Sequence, residues 1–341
     1  MILVTGGTGL VGSHLLFKLL QTNNQVKAIY RREHKLALVK KVFSYYTSDF
    51  ESLYNRIDWV YADITDIPSL EIAFKDVEYV YHCAAFVSFE PDKYHQLRKI
   101  NIDGTANVVN FCVSHAVKKL CYISSIAAIG HHQDPHQLIT EETHWNQEDD
   151  NSVYAITKYG AEIEVWRGTQ EGVDAVILNP GIIIGPGFWN SGGSSSLIKK
   201  IYKGMSFYTH GVTGYVDVND VVNAMVQLMQ SDIKNERFTV VSENLSFKEL
   251  LDQTALALKV KPPTKEATPL ILALGWRLDW LNHLLTRKRR RLSKQMTKSA
   301  RSITKYDTSK IKNALDIEFK TMKDSINETC HLFMEDLKKD V

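Results

Sequence analysis

Two side chains able to exchange a proton, Tyr154 and Lys158, stand four residues apart in a segment with helical periodicity. This spacing places both on one face of a helix. The ammonium group of a lysine favours the phenolate form of a nearby tyrosine, so the pair predicts a lowered tyrosine pKa and acid–base chemistry near neutral pH. A Tyr/Lys pair at this spacing also arises by chance, so its meaning depends on the rest of the chain.

A glycine-rich turn opens the chain. Gly6, Gly9 and Gly12 are spaced by three residues, between an apolar run at 2–4 and a helical pattern at 10–20. Glycine permits a tight turn and lets a pyrophosphate approach the N-terminus of the following helix, whose free N–H groups favour an anion. In this context the motif predicts a dinucleotide site, and a tight turn without a ligand is the alternative.

The end of the second apolar run indicates which nicotinamide cofactor the site takes. An acid there binds the ribose 2′-hydroxyl of NAD, whereas basic residues accommodate the 2′-phosphate of NADP. The chain has Tyr30 at this place, followed by Arg31 and Arg32. Because arginine forms paired hydrogen bonds to phosphate, the sequence favours NADP(H) over NAD(H); two solvated loop arginines are the alternative. Asp63, after the third run, is placed to meet the adenine or to cap a turn.

Alternating strands and helices must position these groups. Strand-like runs occupy residues 2–4, 25–30, 59–61, 79–83, 120–123 and 175–178, and helical patterns occupy 10–20, 94–117 and 152–171. This alternation predicts an α/β fold with right-handed βαβ units and a doubly wound parallel sheet covered on both faces. A further strand and helix are expected at 215–218 and 221–229, and the chain beyond about residue 245 reads as mostly helical.

These motifs resemble those of the extended short-chain dehydrogenases/reductases in the NAD-dependent epimerase/dehydratase superfamily. Within it, the chain is most similar to the dihydroflavonol 4-reductase and 3β-hydroxysteroid dehydrogenase branch. The matching segments are Thr-Gly-Gly-Thr-Gly-Leu-Val-Gly at 5–12, His-Cys-Ala-Ala at 82–85, Asn-Ile-Asp-Gly-Thr at 101–105, Tyr154 with Lys158, Asn-Pro-Gly at 179–181 and Tyr-Val-Asp-Val-Asn-Asp at 215–220. Residues 306–310 resemble the C-terminal signature of the branch, although Asp316 replaces its usual glycine.

The resemblance implies roles for individual residues. Ser125 would hold the substrate carbonyl, Tyr154 would protonate its oxygen, and Lys158 would lower the tyrosine pKa and bind the nicotinamide ribose. Together with the glycine turn and the arginines, it implies cofactor contacts from Gly6, Thr8, Gly9, Leu10, Val11, Gly12, Arg31, Arg32, Asp63, Ile64, Ala84, Ala85, Asn101, Tyr154, Lys158, Pro180 and Ile182. For Asn101, an amide that only packs helices is the alternative.

Two departures from the sugar-converting members narrow the subclass. Nucleotide-sugar dehydratases carry acids after the catalytic Ser/Thr, where this chain has Ile126 and Ala127. Epimerases usually carry an arginine where this chain has Asn179, and they keep the acid that is absent at Tyr30. Both departures favour reduction of an apolar carbonyl compound over chemistry on nucleotide sugars.

The sequence therefore predicts an NADP(H)-dependent oxidoreductase that reduces a ketone or aldehyde of a small apolar or aromatic compound. Its NADP-binding Rossmann domain is expected at residues 1–180 and 212–232, and a smaller, mainly helical substrate-binding domain at 181–211 and 233–341. A nucleotide-sugar epimerase with bound NAD and a non-catalytic cofactor-sensing regulator are the alternatives. The resemblance also implies a homodimer formed through the helices at 94–117 and 152–171.

Composition and charge set limits on the class of protein. With 341 residues, 44% hydrophobic and 23% charged, the chain is not a disordered tail, a fibre or a disulfide scaffold. Eight basic residues and no acid lie between Arg287 and Arg301. Removing these eight from the 41 basic residues leaves 33 against 39 acidic ones, a net charge of −6 instead of +2. On charge alone this basic block indicates nucleic acid or anionic lipid, but it lacks interleaved aromatic residues, so we favour a solvated helix face over nucleic-acid binding.

The remaining features predict a cytoplasmic protein without a structural metal. Four cysteines show no Cys-x-x-Cys spacing, and the histidines show no metal-ligand spacing, so we expect reduced thiols and no metal site. No secretory leader is expected before the strand at residue 2. The apolar helix predicted at 269–285 is too short and too polar to span a bilayer. It would roof the cleft or touch a membrane surface, and packing on the substrate domain is the favoured role.

Overall fold

The computed structural model describes residues 1–22, 25–132, 134, 136–287, 290 and 292–339. Its strands are β1 (Ile2–Thr5), β2 (Val26–Tyr30), β3 (Ile57–Tyr61), β4 (Tyr79–His82), β5 (Lys119–Ile123), β6 (Asp174–Pro180), β7 (Ile182–Ile184), β8 (Phe207–Tyr208), β9 (Val212–Asp217), β10 (Glu236–Val240), β11 (Glu243–Ser246) and β12 (Lys265–Glu266). Its helices are α1 (Leu10–Leu20), α2 (Leu36–Phe43), α3 (Phe50–Tyr54), α4 (Ile67–Ala73), α5 (Tyr94–Leu97), α6 (Gly104–Ser114), α7 (Val153–Gln170), α8 (Gly193–Tyr202), α9 (Val218–Gln230), α10 (Phe247–Ala257), α11 (Pro269–Thr286), α12 (Lys294–Ser299), α13 (Ser309–Leu315) and α14 (Met322–Lys339).

A parallel sheet with strand order β10-β6-β5-β4-β1-β2-β3 dominates the described chain. Its inner strands are buried on both faces, as the near-continuous apolar run of β5 illustrates. The predicted doubly wound fold is confirmed. Because the chain order reverses between β1 and β4, a crevice opens at the carboxyl ends of these two strands, where open α/β sheets bind their ligands.

Helices cover both faces of this sheet. On one face α1 and α9 pack together, with Leu15, Leu16 and Met225 fully buried in one apolar cluster. On the other face α6 and α7 pack together around Val108 and Val165. Each such fully buried side chain contributes roughly 1.5–3 kcal/mol by leaving water. These two layers fix the ends of β1, β4 and β5 relative to α7.

Two elements differ from the sequence prediction. β10 is the edge strand of the large sheet, where Phe238 pairs with Leu178, although the predicted domain boundaries place residues 233–341 outside that sheet. An edge strand pairs with a neighbour on one side only and can carry polar residues. β10 therefore lacks the continuous apolar run by which a strand is predicted from the sequence. The helix predicted at 94–117 consists instead of α5, a π-helical segment at Arg98–Asp103, and α6, which ends at Ser114.

The C-terminal part of the described chain is mainly helical, as predicted. The helices α8, α10 and α14 enclose a separate apolar cluster that includes Ile198, Leu251, Ile326 and Phe333. A three-stranded sheet, β11-β9-β7, lies between this cluster and the large sheet, and β8 pairs with β12. None of the described helices combines the length and the apolar character required to cross a bilayer.

Candidate active site

The glycine turn between β1 and α1 is closed by backbone contacts that exclude side chains. Gly6 has a φ of 70°, in the left-handed region. A Cβ atom on Gly12 would stand 2.2 Å from the carbonyl oxygen of Gly6. Gly9 precedes α1 without a side-chain cap, so no side chain occupies the N-terminus of this helix at its capping position. This cradle fits a pyrophosphate group, which the free N–H groups of the first helical turn would bind.

The end of β4 lies directly beside this turn. A Cβ on Gly6 would come within 2.6 Å of the backbone nitrogen of Ala84. Fully buried His82 contacts the hydroxyls of Thr5 (2.6 Å) and Thr105 (3.0 Å), and thereby joins β1 and β4 to α6. Burial, and secondarily the charge of Lys158, lowers the pKa of His82 to about 3, so its ring is neutral. His82 therefore holds the floor of the crevice in place.

Asn101, in the π-helical segment, ties a loop to the catalytic helix. Its oxygen accepts from the backbone N–H of Phe86 (2.7 Å), and its nitrogen donates to the carbonyl oxygen of Phe86 (3.0 Å) and to the hydroxyl of Thr157 (3.2 Å). The side chain is 1% exposed. These contacts match the packing role that was the alternative for Asn101. A cofactor contact at this residue stays a prediction.

Ser125 and Tyr154 are brought together from two separate elements. Ser125 follows β5 and accepts a hydrogen bond from Ala127 N–H (3.2 Å) at the start of a 3₁₀ turn. Tyr154 lies in the first turn of α7, which Ser152 caps. Burial raises the pKa of Tyr154 to about 12, although its hydrogen bond with Ser125 lowers it. The ring of Phe89 packs edge-on against that of Tyr154, with centroids 5.4 Å apart.

Lys158 lies one helical turn beyond Tyr154 and is held by groups of β5. Its Nζ donates to Tyr122 Oη (2.6 Å) and to the carbonyl oxygen of Ile123 (2.9 Å). Burial lowers the pKa of Lys158 to about 7, and the charge of Glu162 opposes that shift. The expected lowering of the tyrosine pKa is therefore wrong for this structure, because desolvation of the buried Tyr154 dominates. Tyr122 lies in the strand-like run predicted at 120–123, but no sequence signal linked it to Lys158.

A buried carboxylate continues this network on the same helix. Glu162 is 1% exposed, accepts a hydrogen bond from Asn179 Nδ2 (2.5 Å) and lies 3.5 Å from the guanidinium of Arg237. Burial raises its pKa, against the lowering effects of Arg237 and Asn179. Asn179 also donates to the carbonyl oxygen of Ser125 (2.9 Å). Sequence analysis missed Glu162, and its position four residues after Lys158 was the available signal.

The ends of β2 and β3 carry a group of charges. Arg31 forms an ion pair with Asp63 at 3.1 Å. Burial would raise the pKa of Asp63, but hydrogen bonds from Thr65 and Arg31 lower it overall. Burial, followed by repulsion from Arg32 and Arg31, lowers the pKa of Lys35, a residue that sequence analysis missed. Three cations therefore share this corner with the carboxylates of Asp63 and the exposed Glu33, and the net positive charge suits an anionic ligand.

The other predicted cofactor residues lie in the glycine turn, in the first turn of α1 and at the ends of strands. Thr8, Leu10 and Val11 belong to the turn and to the first turn of α1, and Ala85 is exposed just beyond β4. Ile64 follows β3, and its Cδ1 atom lies 2.7 Å from the position that a Cβ on Gly104 would occupy. Pro180 ends β6, and Ile182 begins β7. Their contacts with a cofactor stay predictions.

Trp189, between β7 and α8, packs against the C-terminal apolar cluster. Trp189 donates from Nε1 to Asp336 (2.9 Å) and packs on Phe333 in the C-terminal cluster. Its role is therefore packing. Within the described residues, no three His, Cys, Asp or Glu side chains are grouped so that they could hold a metal ion.

Comparison with known proteins decides the family. The sequence profile of the NAD dependent epimerase/dehydratase family matches residues 2–241. The chain belongs to this family. Sterol demethylase protein B of Methylococcus capsulatus is 28% identical over 252 residues, 73% of this chain and 72% of that protein. A Synechocystis protein named "Putative dihydroflavonol 4-reductase" is 28% identical over 341 residues, 97% of this chain and 93% of its own length.

Solved structures of other proteins share the fold. UDP-glucose 4-epimerase of Thermotoga maritima, solved with UDP-glucose, superposes with a TM-score of 0.75 at 22% identity over 98% of this chain and 99% of its own. The yeast methylglyoxal/isovaleraldehyde reductase Gre2, solved with NADPH, gives a TM-score of 0.75 at 19% identity over 99% of both chains. The fold is thus shared with an epimerase and a reductase, and the resemblance to extended short-chain dehydrogenases/reductases is confirmed.

Proposed function

We propose that this protein is an NADP(H)-dependent carbonyl reductase. The observation that carries the proposal is the meeting of Ser125 and Tyr154 above the buried Lys158, beside the glycine cradle. When bound, the nicotinamide cofactor supplies a hydride for the carbonyl carbon. The hydroxyls of Ser125 and Tyr154 hold the carbonyl oxygen, and Tyr154 gives it the proton that completes the alcohol.

The raised pKa of Tyr154 suits this direction of reaction. With a pKa of about 12 the phenol is protonated at neutral pH, so the proton that the reduced oxygen needs is present before the reaction. Lys158 places positive charge beneath the site, and Tyr122 and Ile123 orient its Nζ. This charge stabilises negative charge that develops on the phenol as its proton leaves.

The charges at the end of β2 support NADP(H) over NAD(H). Arg32 and Arg31 repel Lys35 there, and Asp63 forms an ion pair with Arg31. A 2′-phosphate would relieve this repulsion, whereas an uncharged 2′-hydroxyl would not. The structure of the yeast reductase with NADPH agrees with this choice for a protein of the same fold.

For the substrate we propose a small apolar or aromatic ketone or aldehyde. The ring of Phe89 lies against Tyr154, and Ile126 and Ala127 place no acid beside Ser125. The named reductase relative supports the same class. The substrate side would be formed by residues 181–211 and 233–341, apart from β10. We further propose a cytoplasmic homodimer formed through α6 and α7, whose surface exposes Ile163.

Kinetics of a tyrosine variant test this function. The purified protein is titrated with NADPH and NADH, and a panel of aromatic and aliphatic carbonyls is then screened by loss of nicotinamide absorbance. We expect Tyr154→Phe to bind NADPH normally and to lose turnover. Tyr159→Phe is the matched control, because Tyr159 stacks on Trp145 elsewhere on α7. Retained activity in Tyr154→Phe, or conversion of nucleotide sugars with co-purified NAD, would overturn the proposal.

A further inference from the structure

Helix α11 exposes an apolar stripe to solvent. Leu270, Leu274, Leu278, Leu281 and Leu285 recur at helical spacing and are 83%, 60%, 56%, 44% and 75% exposed. The neighbouring Ile271 and Leu284 are 43% and 62% exposed, and none of the eighteen residues of this helix is buried. The sequence analysis favoured packing of this helix on the substrate domain. The leucine face of α11 does not pack there, because it is exposed to solvent.

The opposite side of α11 contacts the segment that follows the helix and carries the one acid of the helix. Asp279 Oδ2 accepts a hydrogen bond from the backbone N–H of Leu292 (3.1 Å), and a Cβ on Gly275 would stand 3.3 Å from the Leu292 side chain. A surface helix of a globular protein normally turns its apolar face inward. In α11 the contacts with the following segment lie on the side opposite the leucines, so the leucine stripe faces solvent.

A concentrated positive charge directly follows this stripe. Arg287 directly follows the last helical residue, and residues 287–301 contain eight basic residues and no acid. Lys294 and Arg301 are exposed, whereas Lys298 pairs with Asp150 at 2.7 Å. Lys288, Arg289 and Arg291 lie outside the described residues. Only their positive charges, known from the sequence, are counted in the basic block. A partner for this surface must therefore be both apolar and anionic.

We propose that α11 and the basic block dock the protein on an anionic lipid bilayer. The helix is about 27 Å long at 1.5 Å per residue and would lie in the plane of the interface, with its leucines in the acyl boundary. The basic residues would contact the anionic headgroups of the cytoplasmic leaflet. Trp280, 48% exposed, suits the headgroup level.

Other occupants explain less of this surface. A nucleic acid would leave the leucine stripe in water. In a symmetric dimer through this face, a second copy of the chain would offer no complementary acid, because Asp279, the one acid of residues 267–301, is turned toward Leu292. The docking surface is also joined to the active site, since the Ser293 hydroxyl donates to the carbonyl oxygen of Phe89 (3.0 Å). Docking would thus bring the loop beside Tyr154 close to the membrane.

Vesicle sedimentation with the full chain tests this proposal. We expect binding to vesicles that contain phosphatidylserine, weak binding to pure phosphatidylcholine, and loss of binding at high salt. Replacing Leu274 and Leu278 by serine should lower partitioning at least about tenfold. Changing Lys294 to glutamine should lower it about fivefold, and on phosphatidylserine vesicles only.

The control is Leu256→Ser, because Leu256 is 78% exposed on α10, outside the proposed surface. NADPH binding, measured in parallel, reports folding and the cofactor site separately from docking. Absence of vesicle binding, or equal binding by the wild type and the double serine variant, overturns the proposal. Conversion of a dimer to a monomer in that variant without vesicle binding also overturns it, and would assign the stripe to a second copy.

Discussion

Replacing Glu162 by glutamine removes a charge from the buried network and keeps the shape of the side chain. Glu162 and Lys158 are four residues apart on α7, and each is 1% exposed. The negative charge of Glu162 opposes the burial that lowers the pKa of Lys158 to about 7. In the Glu162→Gln variant burial acts without this opposition. We therefore expect the pKa of Lys158 to fall further.

The expected loss of activity is large because the pKa of Lys158 lies close to neutral pH. With a pKa of about 7, Lys158 is about half protonated at pH 7. A nearby opposite charge shifts a pKa by about 1–3 units, so losing it leaves about one tenth of Lys158 protonated at pH 7. A lysine carries its charge below its pKa and loses it as the pH rises. We therefore expect about a fivefold loss of activity at pH 7, with recovery at lower pH.

The assay is kcat/KM for carbonyl reduction as a function of pH, with saturating NADPH. Glu164→Gln is the matched control, because Glu164 is on the same helix and pairs with Arg167 at the surface (2.9 Å). Thermal unfolding of both variants separates a folding defect from a change in proton affinity. An unchanged pH profile in Glu162→Gln would refute the reasoning, as would an equal shift in Glu164→Gln.

Three further substitutions test the cofactor site and its supports. Arg32→Ala should weaken NADPH binding about tenfold and leave NADH binding unchanged in a fluorescence titration, because only a 2′-phosphate engages the guanidinium. Asn101→Ala should lower the free energy of unfolding by about 1–3 kcal/mol in a denaturant titration, since the backbone groups of Phe86 lose their partner. Gly12→Ala should weaken both cofactors alike, because its methyl group would meet Gly6 at 2.2 Å.

Each of these results has a distinct contrary outcome. Equal weakening of NADPH and NADH by Arg32→Ala would assign that residue to a part of the cofactor common to both. Unchanged stability of Asn101→Ala would mean that other contacts hold the loop at Phe86. Normal binding of both cofactors by Gly12→Ala would show that the turn can open, contrary to the tight backbone contact in the structure.

The sequence predicted the fold wherever periodicity is strong. The predicted strands at 2–4 and 120–123 agree with β1 and β5 within one residue, and the helix at 10–20 coincides with α1. β10 was missed because an edge strand with polar residues has no continuous apolar run. The outward face of α11 could not be predicted either, because amphipathic periodicity does not say which side meets the protein.

Prediction of the site was limited by distance along the chain. Ser125, Tyr154 and Lys158 belong to local motifs, so they could be named from the sequence. Tyr122 contacts Lys158 across 36 residues, and Asn179 reaches Glu162 from another element. Such contacts depend on strand order, which local patterns do not encode. The raised pKa of Tyr154 depends on burial, and the sequence therefore predicted the wrong direction.

The π-helical segment at Arg98–Asp103 joins α5 and α6 into one continuous helix. It shifts the side-chain positions of α6 relative to those of α5 by one residue. A π turn closes its ring over five residues instead of four, so it contains one more residue than the α-helical ladder on either side. Within it Asn101 faces Phe86, and beyond it Thr105 reaches His82. Deleting one residue of the segment would restore the ladder and rotate one half of the helix by about 100° against the other. Such a deletion would disconnect the Phe86 loop from α7 without altering any group that meets the carbonyl.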